Sequence, residues 1–252
     1  MTRLINTDMA STVNRANINS SYEAFNFDEW VLKILSPGPG MSVLDIGFGG
    51  GKQIKLIMDK ILPAGKLCGI DLSAECVSNT LKLFNQCDDS HVKIMQGSMD
   101  DAPSLFSREK FDLIFSVYAF YYSSDMVKLL MRLNKLLVNG GRICIFGYGH
   151  KSNEQIIKIM NGTGHDNVPA YKDFISAEQI QKASKSFSSV KTERLHNIIR
   201  IPGKDKVQSW LRSSELYYDG LFKAIDAAID NDIRSKGAFE LTKETLCVTF
   251  IK

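Results

Sequence analysis

The stretch VLDIGFGGGKQ (residues 43–53) places four glycines within five residues, directly after a short apolar run. Glycine loses more conformational freedom on folding than any other residue, so such a cluster normally destabilises a domain. A glycine turn that leaves a strand has another use, because its backbone N–H groups approach a ligand with no Cβ in the way. We therefore expect a ligand site at Gly47–Gly51.

Apolar runs alternate with helical patterns on both sides of this turn. Strands of this kind that alternate with 10- to 15-residue helices are typical of βαβ units and a mainly parallel sheet. The predicted strands are 41–47, 66–72, 92–97, 111–120, 141–148, 190–201 and 244–252, and the predicted helices are 21–35, 52–62, 73–85, 125–137, 176–187 and 205–233.

The two ends of the chain have a different character from its middle. Residues 1–20 are rich in Asn, Ser and Thr and are predicted to be an arm, and residues 149–170 are predicted to be an irregular loop or lid. We expect one structural domain with three parts: an N-terminal arm and cap helix (1–36), an α/β core (37–150), and a C-terminal part (151–252) that completes the sheet and supplies substrate-cap helices.

Composition and charge limit the possible partners. The chain has 252 residues, 44% of them hydrophobic, and a net charge of +3 with no basic cluster. Nucleic-acid-binding proteins usually show a basic stripe, so nucleic acid is not expected as the main partner. The five cysteines form no C-x-x-C pair, and neither a signal peptide nor a membrane span is visible. We expect a cytoplasmic protein without a metal site.

The glycine pattern excludes two common nucleotide-binding motifs. A P-loop would need glycine at Ile46 and a hydroxyl residue at Gln53. The dinucleotide fingerprint needs a small third residue, but Lys52 or Ile54 stands there. The remaining pattern is an acid two residues before G-x-G-x-G. It resembles the first motif of class I S-adenosylmethionine (SAM)-dependent methyltransferases, and its residues are Asp45, Gly47, Phe48, Gly49 and Gly51.

The resemblance extends over about residues 40–148 and implies a cofactor and a fold. The cofactor is SAM, converted to S-adenosylhomocysteine. The fold is a doubly wound, Rossmann-like α/β fold with a mainly parallel seven-stranded sheet, an antiparallel last strand and helical cap segments. An acid at the end of the second strand holds the ribose hydroxyls in that family; Asp71 matches it, and Leu72 matches the apolar wall beside adenine.

The adenine contact after the third strand departs from the family pattern. Many members have Gly-Asp-Ala there, whereas this chain has Gly97-Ser98-Met99 followed by Asp100. Either Ser98 accepts the hydrogen bond from the adenine amino group, or Asp100 does so after a shift of the loop. We include Ser98 and Met99 among the expected cofactor contacts.

Catalytic and acceptor residues are expected after the fourth and fifth strands and in the caps. Tyr118 matches the family position that often faces the methyl donor, and it is assigned both cofactor-binding and catalytic roles. His150, just beyond the fifth strand, is a candidate base for an oxygen nucleophile. The remaining candidates, all for acceptor binding, are Tyr22, Tyr121, Tyr122 and His165.

The predicted function is transfer of the SAM methyl group by in-line displacement to a small-molecule acceptor with an oxygen or nitrogen nucleophile. Two alternatives stay open at this stage: a methyltransferase acting on RNA or protein, and a SAM-binding protein without catalysis. A monomer or a homodimer is equally compatible with the sequence.

Overall fold

The computed structural model describes residues 9–84, 91–162, 170–214, 216 and 221–252. By its internal contacts the chain forms two compact units. The first contains Met1–Phe27, Tyr148–Lys172 and Leu195–Thr245, and the second contains Asp28–Gly147, Asp173–Arg194 and Leu246–Lys252. The predicted boundaries at residues 36 and 150 stay a prediction.

A seven-stranded sheet runs in the order β3-β2-β1-β4-β5-β7-β6, with the last strands antiparallel. This confirms the predicted fold class. Pairing is parallel between β1 and β2, β2 and β3, β1 and β4, and β4 and β5. The strands are β1 (Ser42–Ile46), β2 (Lys66–Asp71), β3 (Val92–Gln96), β4 (Phe111–Val117), β5 (Leu137–Tyr148), β6 (Ser189–Ile201) and β7 (Phe239–Ile251).

The strand order reverses between β1 and β4, which are neighbours in the sheet although two strands separate them in sequence. In doubly wound sheets, ligands bind outside the carboxyl ends of the strands at such a switch point. The glycine turn follows β1 and the Tyr118 loop follows β4, so both lie at this edge.

Ten α-helices are present among the described residues. Their ends are partly set by local side chains: Ser73 accepts a hydrogen bond from the Cys76 N–H, and Ser176 forms a complete capping box with Gln179. The helices are α1 (Met9–Tyr22), α2 (Phe27–Leu35), α3 (Lys52–Ile61), α4 (Ala74–Leu81), α5 (Ala102–Leu105), α6 (Met126–Leu133), α7 (Glu154–Gly162), α8 (Ala177–Ser184), α9 (Lys204–Arg212) and α10 (Leu221–Lys236).

Three segments differ from the sequence prediction. The predicted arm at 1–20 contains most of helix α1, and the predicted loop at 149–170 contains helix α7. The single helix predicted over 205–233 is two helices, α9 and α10.

The first unit has a hydrophobic core of its own. Side chains from α7, α9, α10 and the ends of β6 and β7 pack together, and Trp210 is its largest fully buried member. The buried residues are Ile156, Ile157, Met160, Ile199, Ile201, Val207, Trp210, Leu211, Leu216, Ile225, Ile229, Phe239 and Leu241. The segments predicted to form a substrate cap therefore supply much of a packed core.

Candidate cofactor site

The turn after β1 begins at a position where only glycine fits. Gly47 has φ +73°, in the left-handed region that glycine adopts most readily. A Cβ built on Gly47 would lie 2.5 Å from the Cβ of Ala119, in the loop after β4. The turn after β1 and the loop after β4 are thus in direct contact through Gly47 and Ala119.

The next two motif glycines serve different purposes. Gly51 has φ +74° at the N-cap of α3, where a Cβ would lie 2.8 Å from Oγ1 of Thr80, so its lack of a side chain allows close packing. Gly49 has φ +53°, but a Cβ there would meet nothing within 4 Å. Gly49 therefore borders open space, as a backbone position facing a ligand should.

The motif amides make hydrogen bonds inside the protein. Gly47 donates its N–H to the carbonyl of Ile70 at 2.7 Å, and Gly51 donates to the carbonyl of Phe48 at 3.0 Å. Gly49 donates to Oδ2 of Asp71 at 2.8 Å. The amides of Gly47, Gly49 and Gly51 thus already have partners in the protein, and the expectation that amides of the turn bind the ligand stays a prediction.

Asp71 stands at the end of β2, where the sequence predicts the ribose-binding acid. Its Oδ2 accepts from the Gly49 N–H, and its Oδ1 accepts from the Ser73 N–H at 2.9 Å. These two bonds tie the carboxylate to the glycine turn and to the start of α4. A carboxylate has about four acceptor positions. Both oxygens thus retain capacity for a pair of hydroxyl donors.

Asp45 is a second carboxyl group near the same turn, close to the end of β1. It is 1% exposed, and its Oδ2 has no hydrogen-bond partner among the described residues. Burial, and then the negative charge of Asp71, raise the pKa of Asp45 well above its usual range. The two carboxyl groups therefore differ: Asp45 is buried with an oxygen that has no partner among the described residues, whereas Asp71 accepts two hydrogen bonds.

Leu72 and Phe48, both predicted to contact the cofactor, are placed in opposite ways. Leu72 is 73% exposed, so its apolar surface is available to a flat apolar ligand surface. Phe48 is 4% exposed, and a Cβ on Gly69 of β2 would lie 2.9 Å from its ring. The Phe48 side chain packs on the sheet, which leaves only its backbone for a ligand.

The loop after β3 carries Ser98, Met99 and Asp100 in a short 3-10 turn. Oγ of Ser98 accepts the Asp100 N–H at 3.3 Å. Burial acts to raise the pKa of Asp100, but hydrogen bonds from Ser123 and Ser124 outweigh it and the pKa lies below its usual range. The Ser123 hydroxyl donates to Oδ1 of Asp100 at 2.6 Å, and the Ser124 hydroxyl donates to Oδ2 at 2.7 Å.

Met99 reaches the glycine turn, since its Cε would lie 3.7 Å from a Cβ on Gly47. A shift of Asp100 would break its hydrogen bonds to Ser123 and Ser124 in the loop after β4. Ser98 and Asp100 both stay candidates for the adenine contact.

The loop after β4 contains the predicted tyrosines. Tyr118 has φ +56°, which is unusual for a bulky residue and is found most often where function requires it. Its N–H donates to the carbonyl of Phe146 in β5 at 2.8 Å. The rings of Tyr121 and Tyr122 lie 4.7 Å apart between centroids, and Tyr121 lies 6.3 Å from Phe174.

Two further candidates, Tyr22 and His150, belong to the first unit. The Tyr22 hydroxyl accepts from Nζ of Lys206 at 2.7 Å, and His150 lies two residues beyond β5. Nδ1 of His150 is 3.5 Å from Oε2 of Glu244. The remaining acceptor candidate, His165, lies outside the described residues.

Glu244 is a conspicuous residue that the sequence analysis missed. Its side chain is 0% exposed, and its Oε1 lies 3.3 Å from Nδ1 of His196. The Lys151 N–H donates to Oε2 at 2.8 Å, and a Cβ on Gly149 would lie 2.4 Å from that oxygen. A buried carboxylate flanked by two histidines is thus held against residues 149–151.

Comparison with known proteins identifies the class. The methyltransferase domain family matches residues 37–215, which include the glycine turn and all five parallel strands. The chain belongs to this family. Its motif and sheet order make it a class I SAM-dependent methyltransferase domain, with SAM as the cofactor.

Individual relatives differ in the acceptor that their names indicate. Phosphoethanolamine N-methyltransferase 2 of Caenorhabditis elegans is 29% identical over 185 residues, which are 62% of this chain and 41% of that protein. Demethylmenaquinone methyltransferase of Lactococcus lactis is 22% identical over 194 residues, which are 70% of this chain and 75% of that protein. The chain thus spans about two fifths of the nematode relative's length.

A similar solved structure is phosphoethanolamine N-methyltransferase 2 of Haemonchus contortus in complex with phosphomonomethylethanolamine and S-adenosylhomocysteine. The TM-score is 0.57 at 17% identity, covering 99% of this chain and 58% of that one. This likeness concerns the fold.

Within the described ranges, the chain forms no helix with the length and apolar character needed to cross a bilayer.

Proposed function

We propose that this chain transfers the methyl group of SAM to a small-molecule acceptor with a nitrogen or oxygen nucleophile. The observation that carries the proposal is the open space at Gly49 beside the Asp71 carboxylate, which is bonded to the turn itself. A ligand can enter there without displacing a side chain, and it meets an acceptor of two hydroxyl hydrogen bonds.

The residues around the turn fit an adenosyl group bearing a positive charge. Asp71 would accept from both ribose hydroxyls, and Leu72 would cover one face of the adenine. Ser98 or Asp100 would contact the adenine amino group. The buried Asp45 oxygen without a partner suits a cationic or N–H-bearing ligand group. Bound SAM would supply a methyl group activated by its positively charged sulfur: the nucleophile would bond to the methyl carbon, the carbon–sulfur bond would break, and S-adenosylhomocysteine would leave.

The contribution of the protein to such a displacement is largely positional. Holding two reactants in the correct alignment lowers a barrier by roughly 7–11 kcal/mol. Tyr118, whose backbone is held in an unusual conformation, is proposed to line the methyl-transfer position; an aromatic face beside a sulfonium would add a cation–π attraction. Tyr121 and Tyr122 are proposed to contact the acceptor.

Two observations support a small acceptor: the names of the relatives, and the residues that follow β5 in the chain. Both quoted relatives are named for small molecules, an amine and a quinone precursor. Residues beyond β5 build much of the core of the first unit, and we propose Tyr22 as an acceptor contact. The absence of a basic cluster in the sequence argues against RNA as the acceptor.

His150 is proposed as the general base for an acceptor that must lose a proton. It lies two residues beyond β5, and its Nδ1 is 3.5 Å from Oε2 of the buried Glu244, which can orient the imidazole ring. The buried free thiols of Cys68, Cys144 and Cys247 support a reducing compartment, and we propose the cytoplasm.

The test combines cofactor binding with turnover. Calorimetry should show binding of SAM and S-adenosylhomocysteine to the purified chain. Formation of S-adenosylhomocysteine should then be measured against a panel of small amines, phenols, quinols and carboxylic acids, with bulk RNA and a protein lysate as competing acceptors. Turnover on a small molecule supports the proposal. Binding without turnover on any acceptor would favour a non-catalytic SAM-binding protein, and turnover on RNA or protein alone would contradict the acceptor class.

A further inference from the structure

The carboxyl group of Asp45 is the most unusual ionisable group of the cofactor site. It is 1% exposed and lies next to the end of β1, between strands that are themselves buried. Its Oδ2 has no hydrogen-bond partner among the described residues. Burying an ionised carboxylate without a compensating partner is costly, and such groups usually respond by taking up a proton.

The charges around Asp45 act in the same direction. The charged group that acts on it is Asp71, from the end of the neighbouring strand β2, and no lysine or arginine in the described ranges offsets that effect. Asp71 accepts hydrogen bonds from two backbone amides, those of Gly49 and Ser73. When two carboxyl groups share a site, ionisation of one opposes ionisation of the other.

We propose that Asp45 carries a proton in the cofactor-free chain and releases it to solvent when SAM binds. The O–H bond of the carboxyl group breaks, the electron pair stays on Asp45, and the proton passes to water or buffer. The inference rests on the cofactor of the family. It adds that Asp45 recognises the positive charge of that cofactor by becoming negative.

The reason lies in the charge of the ligand. SAM carries a sulfonium and an ammonium against one carboxylate, so its net charge is positive. A cation that enters the site favours the ionised form of a nearby acid. In the cofactor-free chain, the neutral form of this buried acid costs less free energy than its ionised form. The site would therefore hold a negative charge, opposite to that of the cofactor, only when SAM is bound.

The sign of the pH dependence follows from this coupling. The pKa of Asp45 is raised in the free chain, so below that pKa each binding event must expel a proton, and affinity falls about tenfold for each unit of decreasing pH. Above it Asp45 is already ionised, and affinity is independent of pH on this account. SAM affinity should therefore rise with pH and then level off.

Calorimetry on the whole chain tests the proposal without any acceptor. The enthalpy of SAM binding is measured at about pH 6, where the amine of SAM stays protonated, in several buffers that differ in ionisation enthalpy. The slope of the observed enthalpy against the buffer ionisation enthalpy gives the number of protons released, expected to be above zero. Asp45→Asn, which mimics the neutral acid in shape, is the matched variant.

The expected result is proton release in the wild-type chain and its loss in Asp45→Asn, with a dissociation constant in the variant that no longer changes with pH. Thermal unfolding checks that the variant is folded. If it is not, the number of protons released by the wild-type chain still tests the proposal. SAM binding with no proton release, or equal release by Asp45→Asn, would overturn the proposal while leaving the methyltransferase assignment intact. No binding of SAM would overturn both.

Discussion

Replacement of Gly49 by valine tests the role of the glycine turn most directly. Gly49 has φ +53° and borders open space, so valine brings backbone strain and three side-chain carbons that must extend into that space. Gly40, in the loop before β1, has φ +81° and likewise has nothing within 4 Å of an added Cβ. Gly40→Val is therefore a control with the same type of strain outside the turn.

The cost to folding should be similar for the two variants. A left-handed conformation costs an L-residue about 1–2 kcal/mol. For a chain of this size, 1 kcal/mol lowers Tm by about 2–4 °C. Both variants should thus unfold roughly 2–8 °C below the wild type. Neither loss is large enough to unfold the chain at room temperature.

The effect on cofactor binding should separate them. In Gly49→Val the new side chain occupies the space beside the Asp71 carboxylate, so we expect SAM affinity to fall at least tenfold, which is about 1.4 kcal/mol. Gly40→Val should bind SAM as the wild type does. The assay is isothermal calorimetry with SAM, preceded by a thermal unfolding scan. Wild-type affinity in a folded Gly49→Val chain would refute the idea that the open space receives the cofactor.

Three further changes test other parts of the site. Asp71→Ala should weaken SAM binding at least tenfold, about 1.4 kcal/mol, because the hydroxyl acceptor is lost; unchanged calorimetry would contradict that role. His150→Asn should slow methylation of a hydroxyl acceptor by about 10²- to 10⁴-fold. His196→Asn is the control, because His196 also lies beside Glu244, and it should not slow the reaction. Equal steady-state rates in the two variants would exclude His150 as the base. Gly149→Ala should destabilise the chain by about 1–3 kcal/mol in urea unfolding, because its Cβ would lie 2.4 Å from Oε2 of Glu244, and wild-type stability would show that Glu244 moves aside freely.

The parallel core was predictable because its burial is visible in the sequence. Strands covered on both faces read as continuous apolar runs, and β1, β2 and β4 are of this kind. The helices between them carry apolar residues at helical spacing. The place of Asp71 at the end of β2 was predicted from the resemblance to the family, and its role toward ribose stays a prediction.

Helix α1 could not be predicted in this way because polar groups hold it. Nδ2 of Asn14 donates to the Ser213 hydroxyl at 2.7 Å, and Oδ1 of Asn19 accepts from the Trp210 indole at 2.9 Å. Such contacts leave no apolar stripe in the sequence. An Asn- and Ser-rich segment therefore looked like an arm although it forms a helix with specific partners.

Glu244 was missed for a different reason. It lies within β7 between Lys243 and Thr245, and the segment 149–151 that contacts it is more than ninety positions away in sequence. No local pattern links the two. The packing of the Phe48 side chain was likewise not visible in the local sequence. Its place in the motif indicated a ligand contact, but its ring packs on Gly69 of β2.

The buried ring of Phe48 also explains how a run of glycines is kept in one conformation. Each glycine costs roughly 0.5–1 kcal/mol relative to alanine through lost backbone freedom. Burying a phenylalanine ring contributes about 1.5–3 kcal/mol, which is comparable to the cost of the whole run. Because Phe48 stands between Gly47 and Gly49, its anchorage pins the middle of the segment to the sheet. The turn is thus held in one conformation by its own packing, so a ligand that binds there would order less of the backbone and lose less entropy.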